Sequence, residues 1–172
     1  MARILDRVMS ILRTTPERWI QLAETVPIEL LKRSPAANEW SAYECIQHLV
    51  DTETIVFPAR VEYMLRGEDL PAFYPEKDGS KPEKGLSPGD LAKEFEKLRA
   101  RSLSVLSRVQ EADLTRKARH QELGMVSVSE MIHEWAGHDL MHTVQGERAI
   151  MQVFIEGCGP WKHYFAAHAP GK

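Results

Sequence analysis

Three histidines carry most of the chemistry that can be read from this 172-residue sequence. His138 and His142 stand four residues apart in a segment where Met131, Trp135, His138, His142 and Gln145 recur at helical spacing. Such spacing defines one face of a helix. Two imidazoles at i and i+4 differ by only about 40° around the axis and one turn along it, so they can reach a single ion. Met131 and Trp135 mark the face as core-directed. A second segment repeats the pattern, with Cys45, His48, Thr52, Ile55 and Ala59 on one stripe, which turns His48 inward as well. Buried imidazoles need polar partners, and one divalent metal ion serves all three. Neutral imidazole suits zinc, nickel or iron, and three protein ligands leave coordination positions open for water or substrate. The rival reading is three ordinary core or boundary histidines. The H-x-x-x-H spacing alone often arises by chance, and it is His48 on another segment that makes the set a candidate metal site.

The remaining candidates are weaker. His133 lies about 140° around the helix from His138, His120 falls in a loop, and His163 and His168 belong to the tail. Cys45 reads as a small buried core residue rather than a thiol at the site. Asp51, Asp139, Glu44 and Glu134 read equally well as acceptors for imidazole N–H groups or as surface caps and ion-pair partners. With Glu53 they are the carboxylates available as a general base, and spacing singles out none of them. Catalytic and organic-cofactor residues therefore stay unassigned.

The elements that must position these histidines read as helices. A first helical stretch falls within residues 2–32, with Pro16 opening its second part and Pro27 kinking or ending it. Ser41, with Glu44 three residues on, forms a capping box. The helix it starts runs to about Arg66, with a kink expected at Pro58. Residues 67–90, rich in proline and glycine, form an irregular connection of about 22 residues, long for a compact domain and suited to a lid or a crossover. Ser87-Pro88 opens a third helix with Leu91, Phe95, Leu98, Leu103, Leu106 and Val109 as its apolar positions. After a loop over residues 114–126, Ser127 or Ser129 caps a fourth helix running to about Phe154, and the tail around Trp161 can form a short closing helix. The only strand-like alternation, Val126-Ser127-Val128, is too short to count. The expected fold is all-α: a four-helix bundle with a long helix 2–helix 3 crossover, residues 1–172 forming a single domain.

Composition narrows the function. Twenty-two basic against 25 acidic residues give a net charge of −3, so charge provides no reason to expect nucleic acid. The basic runs Lys97–Arg101 and Arg116–Arg119 read as solvated helix faces and ends. Two cysteines make no disulfide framework. The amphipathic start is unlike a signal peptide, and no apolar stretch approaches the ~18 residues of a membrane span. A cytoplasmic protein without membrane or nucleic-acid partners is the expectation.

Two segments carry a family resemblance. Glu39-Trp40-Ser41 through Gln47-His48-Leu49-Val50-Asp51-Thr52-Glu53 resembles the first signature of the DinB/YfiT-like superfamily. His138-Asp139-Leu140-Met141-His142-Thr143-Val144-Gln145 resembles its second, H-x-x-x-H-x-x-Q. The resemblance implies a bundle of variant topology with a long second-to-third connection, a metal triad at His48, His138 and His142, and a homodimer. It also implies a small-molecule substrate and the chemistry of characterised relatives, thiol S-transferases and isomerases that use bacillithiol, mycothiol or glutathione. The leading expectation is a metal-dependent thiol S-transferase in which the ion keeps a low-molecular-weight thiol deprotonated and nucleophilic. The alternatives are a metal-dependent hydrolase using activated water and a non-enzymatic metal-binding stress-response bundle.

Overall fold

A computed structural model describes residues 3–72 and 85–170. The chain opens with α1 (Ile4–Thr25) and a single turn, α2 (Ile28–Leu31). Two helices in near succession follow, α3 (Ala42–Ile55) and α4 (Phe57–Arg66). Then come α5 (Pro88–Leu106) and the longest helix, α6 (Val128–Gly157). α1 and α3 each pack against both α5 and α6, so the bundle is a ring in which the first two long helices face each other across the core. Along the chain, α1 is thus followed by α3 and α5 by α6 across the core, whereas α3 and α5 are neighbours. Of the crossover expected at residues 67–90, positions 73–84 lie outside the described residues.

The helix starts follow local chemistry. Ser41, Ser87 and Ser127 each accept a hydrogen bond from the backbone N–H three residues on, and Glu44, Asp90 and Glu130 reach back to the capping residue's own N–H. These reciprocal pairs satisfy donors that a helix start leaves unpaired. Ser127, not Ser129, caps α6. The helix extends to Gly157, slightly past the expected end. Pro58 sits in the first turn of α4, where a missing N–H costs nothing. The expected kink is a break at Val56, whose φ of −111° and ψ of −78° depart from helical values.

Two expectations need correction. Pro16 does not open a new segment, since α1 runs straight through it. A proline inside a helix leaves the carbonyl four residues earlier without its N–H partner, and here Leu12 O accepts a 2.8 Å bond from Arg99 Nη1 instead. The loop at 114–126 is also more ordered than expected. A 3-10 turn (Glu111–Thr115) leads into a hairpin of β1 (Lys117–His120) and β2 (Gly124–Ser127). It pairs antiparallel from Lys117↔Ser127 to His120↔Gly124. Four-residue strands are too short to show a period of two in the sequence, and Gly124, at φ +74°, takes the left-handed turn that closes the loop. A 3-10 segment (Gly159–His168) forms the tail.

The core is divided in two. One apolar cluster contains Leu12, Phe57, Leu106 and Trp135; the other contains Trp19, Leu49, Phe95 and Ile150. On each helix the residues between these levels are polar and buried: Thr15 on α1, Thr52 and Glu53 on α3, Arg99 on α5, Asp139 and His142 on α6. A polar layer thus crosses the bundle, and the candidate site belongs to it.

Candidate metal centre

α3 and α6 bring the three histidines together. One ring nitrogen from each of His48, His138 and His142 lies within 4.8 Å of the other two, and among the described residues no Asp, Glu or Cys joins the cluster. His48 and His142 are buried, and His138 is half-buried. His48 Nε2 and His138 Nε2 face each other at 3.0 Å. Two lone pairs that close require a shared proton or a shared cation. The spacing is about what two nitrogens adopt when each sits ~2.0–2.1 Å from one ion. The donor set therefore fits a divalent metal.

Neighbouring side chains fix the imidazoles. His142 Nδ1 lies 2.8 Å from Gln145 Oε1. An amide oxygen only accepts, so Nδ1 carries the hydrogen and Nε2 keeps its lone pair. Trp40 stacks on His142, with ring centroids 5.5 Å apart and planes at 19°, and tilts over His48 at 4.9 Å. Phe57 stands edge-on to His138 at 4.9 Å and stacks on Trp135. His138 Nδ1 is buried with no hydrogen-bond partner among the described residues. Burial pushes His48 down to about 4 and His138 to about 3, with the neighbouring imidazoles adding to the effect. It lowers His142 as well. All three are neutral near pH 7, the form that coordinates metal.

Beside the triad lies a charge cluster that sequence reasoning missed. Arg99 is 1% exposed. Its Nε and Nη2 donate to the two oxygens of Glu53, at 2.7 and 2.8 Å, and Nη1 and Nη2 donate to Asp139, at 2.7 and 3.0 Å. Nη1 also reaches Thr15 Oγ1, and Trp135 Nε1 donates to Glu53. Every guanidinium donor is used, which is what makes such a buried cluster tolerable. The expectation that Lys97–Arg101 is simply a solvated face fails at Arg99. The signal was present: Leu91, Phe95, Arg99, Ser102 and Leu106 share one helical stripe, and only the charge disguised it. Glu53 and Asp139, weighed as bases, are held by this arginine.

The other sequence candidates separate cleanly. Cys45 is fully buried, and burial pushes its thiol up to about 12, so it stays protonated outside the cluster. Ile55, placed on the inward stripe with His48, is 47% exposed, because α3 ends there. Glu44 caps its own helix, while His133 and His163 are exposed and bond to nearby backbone carbonyls. Trp40 and Phe57, which wall the triad, had no assigned role in the sequence reading. Phe57 comes near only because the chain breaks at Val56.

Comparison with known proteins places these features in a family. The solved structure of YfiT from Bacillus subtilis, described as "a probable metal-dependent hydrolase with an unusual four-helix bundle topology", matches with a TM-score of 0.76. The match covers 87% of each chain at 16% identity, and at that identity the likeness establishes the fold. No curated protein matches the chain. The sequence model of the DinB superfamily matches residues 11–145, a span that takes in both signature segments and all three histidines. The chain belongs to the DinB superfamily.

Proposed function

We propose that His48, His138 and His142 hold one divalent metal ion, zinc, nickel or iron, and that the chain is a metal-dependent enzyme acting on a small molecule. The observation that carries this reading is the facing Nε2 pair at 3.0 Å within a three-nitrogen cluster that, among the described residues, includes no fourth protein ligand. A bound ion supplies Lewis acidity, enough to keep a thiol or a water deprotonated near neutral pH. Gln145 holds the His142 tautomer that leaves Nε2 free, and Trp40 and Phe57 wall the cluster with apolar rings that limit water.

Within that class the thiol S-transferase reading stands first. Hydrolysis by a metal-bound water calls for a base that hands the water's proton to the leaving group, yet among the described residues no carboxylate belongs to the cluster, and Glu53 and Asp139 are tied to Arg99. A thiol ionised by the metal needs no such base. The description of YfiT as a probable metal-dependent hydrolase favours the second reading. The test is to supply zinc-loaded protein with glutathione, bacillithiol or mycothiol and the electrophile chlorodinitrobenzene. Thiol-dependent consumption above a His48→Ala control supports transfer. Thiol-independent turnover of esters or amides supports hydrolysis instead, and neither activity with any of these metals rejects the enzymatic reading.

A homodimer is part of the same proposal. Met141, Val144 and Phe154 on α6 are 54%, 58% and 61% exposed, with Leu140 beside them, an apolar strip that a second copy of the chain would cover.

A further inference from the structure

A cavity of about 820 Å³ lies away from the histidines, between α3 and α5. On α3 it is lined by the face carrying Gln47, Val50, Asp51 and Thr54, not by the face that carries His48. Gln47 is 2% exposed, and its Oε1 has no hydrogen-bond partner among the described residues. Its Nε2 donates to Asp51 at 3.2 Å. A carboxylate only accepts, so this contact fixes the amide and leaves the oxygen as the unsatisfied atom. A buried acceptor without a donor is uncommon and asks for a ligand N–H or O–H.

The rim carries both carboxylates and cations, and the cations lie together on one helix. Lys93, Lys97 and Arg101 recur every four residues along α5 and all line the cavity, so they form one row. The acids there are engaged: Asp51 with Gln47, Asp90 with the Ser87 cap, and Glu94 with Lys97 at 3.1 Å. Lys93 and Arg101 are exposed and make no ion pair among the described residues. Between rim and floor, Val50, Leu91 and Leu98 give apolar wall.

We propose that this cleft binds a small amphipathic organic anion. Its apolar body lies along α3 and α5, one N–H or O–H donor meets Gln47 Oε1, and a carboxylate, sulfonate or phosphate group meets Lys93 and Arg101. The site is separate from the three histidines and does not depend on their reading.

The test uses 8-anilinonaphthalene-1-sulfonate, which combines an N–H donor, an apolar body and an anion, with its uncharged parent N-phenyl-1-naphthylamine as control. Fluorescence titration of the full chain should show saturable binding of one equivalent. The double variant Lys93→Glu/Arg101→Glu, at two exposed positions, should weaken it by about tenfold or more with an unchanged melting temperature. Gln47→Leu should weaken it as well, the uncharged control should bind less tightly, and added zinc should leave binding unchanged. Equal affinity for wild type and the double charge reversal would place the probe elsewhere, for instance on the α6 apolar strip, and overturn the proposal. So would competition by zinc, or no saturable binding.

Discussion

At the scale of single residues, the histidines tie the site to pH. Burial holds His48 near 4 and His138 near 3, below the ordinary ~6.5. An unfolded chain therefore takes up protons at these positions while the folded one still refuses them. Stability from the neutral imidazoles is fully present above about pH 6.5 and is lost as the pH falls from there toward about 4 for His48 and about 3 for His138. Thermal melts of metal-free protein across that window should show a steep decline, and the double variant His48→Gln/His138→Gln should decline less steeply. Equal slopes would mean that the two imidazoles are not held neutral by the fold. These residues were legible in the sequence because each sits on an apolar stripe of helical period. Arg99 was not, since a lone cation among Lys97, Arg99 and Arg101 looks solvated until Glu53 and Asp139 are brought against it from two other helices.

At the scale of elements, helix starts were the most readable features. A serine with a carboxylate three residues later is a local device, and Ser41, Ser87 and Ser127 needed no tertiary information. The prolines were less legible, because their effect depends on what replaces the lost hydrogen bond. Pro16 is tolerated only because Arg99 takes the freed Leu12 carbonyl. The contact of α1 with α6 has its own constraint. A Cβ added at Gly146 would stand 2.5 Å from Trp19 Cη2, closer than any real contact, and Trp19 is buried. Gly146→Ala must push the indole or separate the helices. Overpacking of this kind costs about 1–3 kcal/mol, to be measured by urea denaturation. A change near zero would show that Trp19 moves freely.

At the scale of the whole molecule, the ring of helices is the part the sequence did not reveal. Amphipathic faces predict a bundle, but not that α1 and α3 sit across the core from one another. That arrangement sets Arg99 between Glu53 and Asp139, on the two helices that carry the histidines. Arg99→Met leaves two buried carboxylates unpaired and should cost about 3–5 kcal/mol. Removing all three charges together, Glu53→Leu/Arg99→Met/Asp139→Leu, should cost less than that single change, as denaturant curves can decide. A single variant milder than the triple would mean that the cluster contributes net stability. The α6 strip bears on assembly: light scattering should find a dimer in the wild type and a monomer in Val144→Glu, and a wild-type monomer would remove the dimer from the account.

The most direct test of the central claim is metal content. The chain, purified without a histidine tag and dialysed against zinc, nickel or iron(II), should retain about one ion per chain by elemental analysis. His48→Ala and His142→Ala, if still helical by circular dichroism, should retain almost none. Wild-type protein that holds far less than one equivalent of every metal, or alanine variants that hold as much as the wild type, would contradict the metal centre.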